Sequence, residues 1–222
     1  MFFAAILASI LVFIEQASAL NAHHHASALR EDPTKDGKMF QMYQHQEWVK
    51  DLFANRTAAQ AACEKSYPIQ LAAVKMALAH PDVYLFQSEA CSALTALGNL
   101  DHESKPYIAA AGGIEVATEA MRRFPMDKNL QLTCAHALSN GMSLYQFDVQ
   151  QEAGKAGAVE LVLDAQRRFP DDPTMQFGGD SGCFHDFSKE NRLRWQKAGG
   201  VEYNMQTILR HFNNSAVVEQ CW

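Results

Sequence analysis

The feature that most constrains the fold of this chain of 222 residues is a string that occurs three times. Its copies are AAGGIEVATEAMRRFP (110–125), KAGAVELVLDAQRRFP (155–170) and KAGGVEYNMQTILRHF (197–212). The glycines Gly112, Gly157 and Gly199 open the copies at intervals of 45 and 42 residues. A period of this length is typical of stacked helical repeats, in which one unit cannot cover its own apolar face. The sequence therefore predicts an all-α solenoid.

The pattern within one period predicts three helices. Apolar residues at helical spacing follow each glycine, and Phe124-Pro125 and Phe169-Pro170 end that helix before a longer one begins. Glycine suits the turn because steeply crossing helices leave no room for a Cβ and often need a positive φ. We predict an N-terminal helical cap over 39–67 and repeats over about 68–111, 112–156, 157–198 and 199–222, which is about three and a half repeats.

The N-terminus indicates the secretory route. The apolar run from Met1 to Ile14 is too short to span a bilayer, and Ala17-Ser18-Ala19 has the small residues that a signal peptidase accepts. We therefore expect a signal peptide at 1–19 and a flexible leader at 20–38, with an uncleaved anchor or a packed first helix as alternatives. The glycosylation sequons at Asn55 and Asn213 agree with secretion to an extracellular or organelle-lumen location.

The five cysteines, by contrast, favour reduced thiols. Their number is odd and none forms a CxxC pair, while Cys91, Cys134 and Cys183 fall within helical repeats, where a thiol packs as a small apolar group. We expect free core cysteines, and a disulfide framework stays open as the alternative.

Three segments carry a resemblance to a known family. They are QLTCAHALSN (131–140), ALTALGNL (93–100), and ENR (190–192) followed by AGGVE (198–202). Together with the recurring glycine turn they resemble armadillo repeats over roughly 68–212, and the RRFP ending is similar to armadillo proteins of protists and the armadillo regions of leucine-rich-repeat kinases. The resemblance implies a right-handed solenoid whose longest helices line a concave groove.

The same resemblance implies a binding mode. In armadillo proteins the Asn of the AL.NL motif holds the backbone of an extended peptide, because an amide both donates and accepts hydrogen bonds. Asn99 and Asn140 match that motif, and the third repeat has Asp186, or His185 in a register shifted by one. Specificity would come from neighbours such as His102 and His136. The tryptophans that accompany these asparagines in nuclear-import receptors are absent, since Trp48, Trp195 and Trp222 lie elsewhere.

The sequence supports catalysis or metal binding less well than it supports a repeat fold that binds a partner. His136 and Ser181 lie in segments that resemble those of chymotrypsin-like proteases, but they are 45 residues apart, which is the repeat period, and no alternating strands are evident. The Gly178–Gly182 run is interpreted as close helix packing or as a ligand notch. Neither the histidines at 23–25 nor the Cys183 and His185-Asp186 group makes a metal site. We expect no catalysis, metal or cofactor.

The net charge and the positions of the arginines limit the kind of partner that this chain can bind. The formal net charge of −6 argues against a nonspecific nucleic-acid binder. Arginines recur in phase with the repeat, as Arg122, Arg123, Arg167, Arg168 and Arg210. They either cap helix ends or form a basic edge for an acidic partner.

The sequence thus predicts a non-catalytic scaffold for a protein or an extended peptide, with no membrane contact after signal removal. The alternative is a structural subunit of a larger assembly in a secretory or organelle lumen.

Overall fold

The computed structural model describes residues 47–97, 105–139, 147–177 and 188–221, and in these ranges the chain is all-helical with no strand. The helices are α1 (Glu47–Ala54), α2 (Arg56–Ser66), α3 (Pro68–Ala79), α4 (Tyr84–Ala96), α5 (Lys105–Ile108), α6 (Ile114–Arg123), α7 (Lys128–His136), α8 (Phe147–Lys155), α9 (Ala158–Arg168), α10 (Pro173–Phe177), α11 (Lys189–Lys197), α12 (Gly200–Arg210) and α13 (Ser215–Cys221). A wider, π-helical turn (Ala109–Gly113) joins α5 to α6. The predicted signal peptide, the leader and the Gly178–Gly182 run lie outside the described residues.

The contacts group the helices after α1 into triplets, which are α2–α4, α5–α7, α8–α10 and α11–α13. Within the described chain, first helices pack on first helices (α2 on α5, α8 on α11), and second helices on second helices (α3 on α6, α6 on α9). Third helices do the same, with α4 on α7 and α10 on α13. The period of the sequence is therefore expressed as layers of equivalent helices, and α2, from the predicted cap, takes part in the first-helix layer.

Local signals explain where the helices begin and end. Asn55, Asp127 and Ser188 cap α2, α7 and α11 with side-chain oxygens that accept from the backbone N–H groups of Ala58, Leu130 and Asn191. Among the described residues the positive-φ glycines are Gly112, Gly157 and Gly199, at +123°, +87° and +78°. A Cβ on Gly112 would also stand 2.9 Å from Leu78 Cδ1. These glycines are required by the turn, as the sequence predicts.

A buried glutamine fixes the angle between the second and third helix of each of the first three triplets. The amide Nε2 of Gln131 donates to the carbonyls of Met121 and Phe124, at 2.8 and 3.1 Å. Gln87 and Gln176 make the same pair of bonds to the residues ten and seven positions earlier, at 2.9 to 3.2 Å. The acceptors are carbonyls at the end of the second helix, which the helix itself leaves unsatisfied. Each glutamine is therefore a clamp across the proline turn.

The first-helix layer has its own polar tie. Asn191 on α11 is buried and donates through Nδ2 to the carbonyl of Gln150 on α8, at 2.8 Å. A Cβ on Gly154 would lie 1.9 Å from Asn191 Oδ1, so glycine at that position makes room for the amide. The Asn of the ENR segment therefore joins two successive repeats.

Lys105 is an unusual member of the core. Its side chain is buried at the start of α5, with a relative exposure of 1%. Burial lowers the pKa of this ammonium group from 10.5 to about 8, because the low-dielectric interior disfavours the charged form.

In the described ranges, no helix has the length and hydropathy needed to cross a membrane.

The glutamine clamp gives a first prediction. Gln131→Leu keeps the side-chain volume but removes the donor to the carbonyl of Met121 and leaves the carbonyl of Phe124 with the N–H of Asp127 alone. We therefore expect a loss of about 2 kcal/mol in the free energy of unfolding. Urea denaturation measures it. Asn129→Leu, at an exposed site on the same helix, is the control and should change stability by less than about 0.5 kcal/mol. Equal losses of stability in the two variants would show that the hydrogen bonds of Gln131 do not stabilise the fold.

Lys105 gives a pH prediction. Between its folded pKa of about 8 and its usual value of 10.5, the unfolded state holds more protons, so stability rises with pH. Cys63 has the opposite but smaller effect in this window, because burial raises the pKa of its thiol from 9.0 to about 11 and the unfolded thiol loses most of its protons above pH 9. We expect a gain of roughly 1 kcal/mol in unfolding free energy from pH 8 to 9. Lys105→Met should abolish it, and an unchanged slope in that variant would contradict the assignment.

Candidate functional site

The candidate site is the solvent-facing side of the third helices α4 and α7. Their buried faces are matched residue for residue from Gln87 and Gln131 onward, so the outward faces match as well. We call these outward positions the third-helix surface, comprising Leu85, Glu89, Ser92, Asn129, Thr133 and His136. Leu85, Ser92 and Asn129 are exposed, and the other three are half-buried. The surface is mostly polar and extends across two repeats.

A disulfide beneath this surface joins α4 to α7. Cys91 and Cys134 are bonded with their Cα atoms 4.9 Å apart, and both are fully buried. The Thr95 hydroxyl, bonded within α4 to the Cys91 carbonyl at 2.9 Å, also lies 3.0 Å from the carbonyl of Thr133 on α7. A covalent bond and a hydrogen bond therefore hold the two helices in one register.

The expectation of free core cysteines is wrong for this pair. The sequence contained a signal for it, because Cys91 and Cys134 are 43 residues apart and Gln87 and Gln131 are 44 apart. One repeat period brings two cysteines on neighbouring third helices within bonding distance. The expectation holds for Cys63, which is a free and buried thiol.

Of the predicted partner-binding residues, the structure places His136 on the third-helix surface. Asn99, His102, Asn140, His185 and Asp186 lie outside the described residues. Ser181, which the sequence aligned with His136, lies outside them too.

The clamps also define a register for the two asparagines. Asn99 follows Gln87 by 12 residues, whereas Asn140 follows Gln131 by nine. In this register Ala96, not Asn99, is equivalent to Asn140. The AL.NL resemblance therefore matched the two segments three residues apart.

The first arginine of each RR pair reaches forward to the next repeat. Arg122 Nη2 donates to the carbonyl of Ala156, and Arg167 Nη2 donates to that of Ala198, each at 2.5 Å. Both acceptors immediately precede a positive-φ glycine. The guanidinium group thus satisfies an unpaired carbonyl at the end of the following first helix.

The second arginine of each pair, and Arg210 at the equivalent position of α12, reach back to the preceding repeat. Their partners are Asp82 for Arg123, the carbonyl of Pro125 for Arg168 at 3.1 Å, and Asp171 for Arg210 at 2.6 Å. The predicted basic edge therefore consists of arginines that tie repeats together. Their role toward an acidic partner stays a prediction, and their contacts within the chain are the capping alternative extended across repeats.

A shallow depression of about 580 Å³ lies beside the proline turn of the third triplet. Its charged groups are already engaged within the chain. Lys128 is hydrogen-bonded to Asp172 and so lowers the pKa of that carboxyl group, while Arg168 and Asp171 have the partners given above. We assign no ligand to this depression.

Neither a metal site in the described residues nor a similar protein indicates a function for this chain. The described part of the chain contains no group of three or more His, Cys, Asp or Glu side chains that could hold a metal ion. Comparisons with protein-family models, with curated proteins and with solved structures find no match to this chain. The functional inference therefore depends on the geometry of the surface itself.

The disulfide gives a third prediction. Replacing Cys91 and Cys134 together by alanine frees a loop of about 43 residues in the unfolded state, which lowers stability by about 4 kcal/mol. Urea denaturation under non-reducing conditions measures the loss, with Cys63→Ala as the control for a buried thiol. Reductant in the unfolding buffer should lower the free energy of unfolding of the wild type but not that of the double variant. A wild type that is insensitive to reductant would overturn the prediction.

Proposed function

We propose that this protein is a non-catalytic scaffold that binds a protein or an extended peptide on its third-helix surface. The observation that supports this most is the lock between α4 and α7, in which a disulfide and the Thr95 hydroxyl hold two parallel rows of side chains. A surface that is rigid before binding loses little conformational entropy when a partner docks. Its mixed polar and half-buried side chains suit a chain with unpaired backbone groups.

We propose further that the stack is an armadillo-like, right-handed solenoid. Two recurring structural features favour it over an irregular helical bundle. The same left-handed glycine turn begins the second helix in successive repeats, and the same glutamine clamp sets the third helix against the second. Repetition of one unit with one set of interfaces is how a solenoid forms.

The partner would lie along the third helices rather than the arginine edge. All five arginines of that edge already bind carboxylates or carbonyls of neighbouring repeats, as the distances above describe. His136 is the described member of the predicted binding set. Asn99, His102, Asn140, His185 and Asp186 complete the proposed surface as expectations from sequence, and no metal or cofactor takes part in the mechanism.

We propose a secretory or organelle-lumen location. Disulfides persist in oxidising compartments and are rare in the cytosol, so the Cys91–Cys134 bond favours this route. Asn55 and Asn213, the acceptors of the two sequons, are both exposed, which an oligosaccharide requires.

A second candidate is a structural subunit of a larger assembly in such a compartment. It is favoured by a separate observation, the exposed apolar face of α12. Met205 and Leu209 on that face are 62% and 75% exposed.

The scaffold proposal is tested by affinity capture with matched variants. Ser92→Arg puts a bulky charge on the third-helix surface, whereas Ser66→Arg makes the same change at an exposed site on α2. From extract of the native source, we expect wild type and Ser66→Arg to recover the same partner and Ser92→Arg to recover about ten-fold less. Asn99→Ala and Asn140→Ala test the amide part of the hypothesis in the same assay. Equal recovery by both serine variants would rule out this surface.

A further inference from the structure

The sequon Asn55-Arg56-Thr57 stands at an exposed junction between two helices. Asn55 follows the end of α1, Arg56 begins α2, and residues 54–58 are all exposed. The pattern Asn-x-Ser/Thr accepts an N-linked oligosaccharide where the chain is accessible. Because a three-residue pattern also occurs by chance, the contacts of its side chains decide whether the folded protein can hold the modified residue.

The two polar atoms of the Asn55 side chain have separate tasks. Its carbonyl oxygen Oδ1 accepts a hydrogen bond from the backbone N–H of Ala58 at 3.1 Å and so caps α2. Its amide nitrogen Nδ2 donates no hydrogen bond to any described residue. An N-linked oligosaccharide is attached to Nδ2 and leaves the carbonyl oxygen in place. Asn55 can therefore hold a glycan and still cap the helix.

The hydroxyl of Thr57, the third residue of the sequon, has no structural task in the described part of the chain. It is exposed and makes no hydrogen bond there. Thr95, Thr118 and Thr133, by contrast, each donate to the carbonyl four positions earlier, at 2.8 to 2.9 Å. The sequon hydroxyl can thus serve recognition by a glycosylating enzyme without a second role in the fold.

We propose that Asn55 is the acceptor site of an N-linked oligosaccharide. The donor class is a lipid-linked oligosaccharyl pyrophosphate. During the transfer, the bond between the sugar C1 and the pyrophosphate oxygen breaks, a bond from C1 to Nδ2 forms, and the displaced amide proton leaves with the pyrophosphate. The inference rests on the secretory location proposed above, because N-linked glycans belong to secreted proteins.

The glycan would stand beside the first glycine turn. A Cβ on Gly112 would lie 3.7 Å from Arg56 Cζ, and Arg56 also binds Glu115 of α6. The residue next to Asn55 therefore ties α2 to the turn of the second triplet. A bulky oligosaccharide at Asn55 hinders the approach of a partner to this turn, whereas the third-helix surface lies on two other helices, α4 and α7.

Site occupancy is tested on the full chain secreted from a eukaryotic cell line, with its own N-terminus or with residues 1–19 replaced by an established secretory signal. Behind the established signal we expect a heavier form that a peptide N-glycosidase reduces in mass. This enzyme converts the acceptor asparagine to aspartate, so peptide mass spectrometry locates the site. Thr57→Ala should abolish the modification of Asn55. Ser215→Ala, in the other sequon, is the matched control and should leave it intact.

The outcomes separate this site from the proposed location. An unmodified Asn55 behind the established signal would overturn the inference, and so would a glycan at Asn55 that persists in Thr57→Ala. Modification of Asn55 behind the established signal but not behind the chain's own N-terminus would support the acceptor site and contradict the secretory location.

The separate tasks of Oδ1 and Nδ2 are tested by urea denaturation of the glycosylated wild type, Asn55→Asp and Asn55→Ala. Aspartate keeps a side-chain acceptor for the helix cap, and alanine does not. We expect the glycosylated wild type to unfold at a urea concentration at least as high as that of Asn55→Asp, and Asn55→Ala at a lower one. A glycosylated wild type as weak as Asn55→Ala would show that the glycan displaces the cap and would contradict this assignment.

Discussion

The hydrogen bonds of one buried amide in each of the first three repeats set the geometry on which the other contacts depend. Gln87, Gln131 and Gln176 each bind two carbonyls at the end of the preceding helix, across a turn that contains proline. A helix end buried without donors would be unstable, and proline supplies no N–H group. Since the amide must reach both carbonyls at once, the third helix can leave the turn in one direction only. The layer of third helices, and the surface on it, follow from that direction.

Contacts between repeats then turn identical units into one body. The two arginines of an RR pair bind in opposite directions, one to the turn of the following repeat and one to that of the preceding repeat. Individually these exposed bonds contribute little, because water and salt screen them. Instead they fix the register in which one repeat stacks on the next. The glycine turns, the Asn191 amide and the Cys91–Cys134 bond also determine this register. Burial of the apolar faces supplies the stability, and the polar ties select one stacking among several.

Several parts of this fold could be predicted from the sequence because they depend on local chemistry. Helical spacing, the Phe-Pro stops and the glycine turns are properties of residues close in the chain, and the helices lie where these signals place them. The disulfide was missed because the odd cysteine count was treated as a global property, whereas the pairing of Cys91 with Cys134 depends on the stacking of two particular helices. The arginine partners were missed for the same reason.

The candidate site shows a different limit. A motif such as AL.NL can be matched three residues out of register when leucine and alanine are abundant, as happened with Asn99 and Asn140, and only the glutamine clamps define the register. Exposure cannot be read from the sequence either, because Val201 of α12 is 43% exposed whereas the equivalent Val159 of α9 is fully buried.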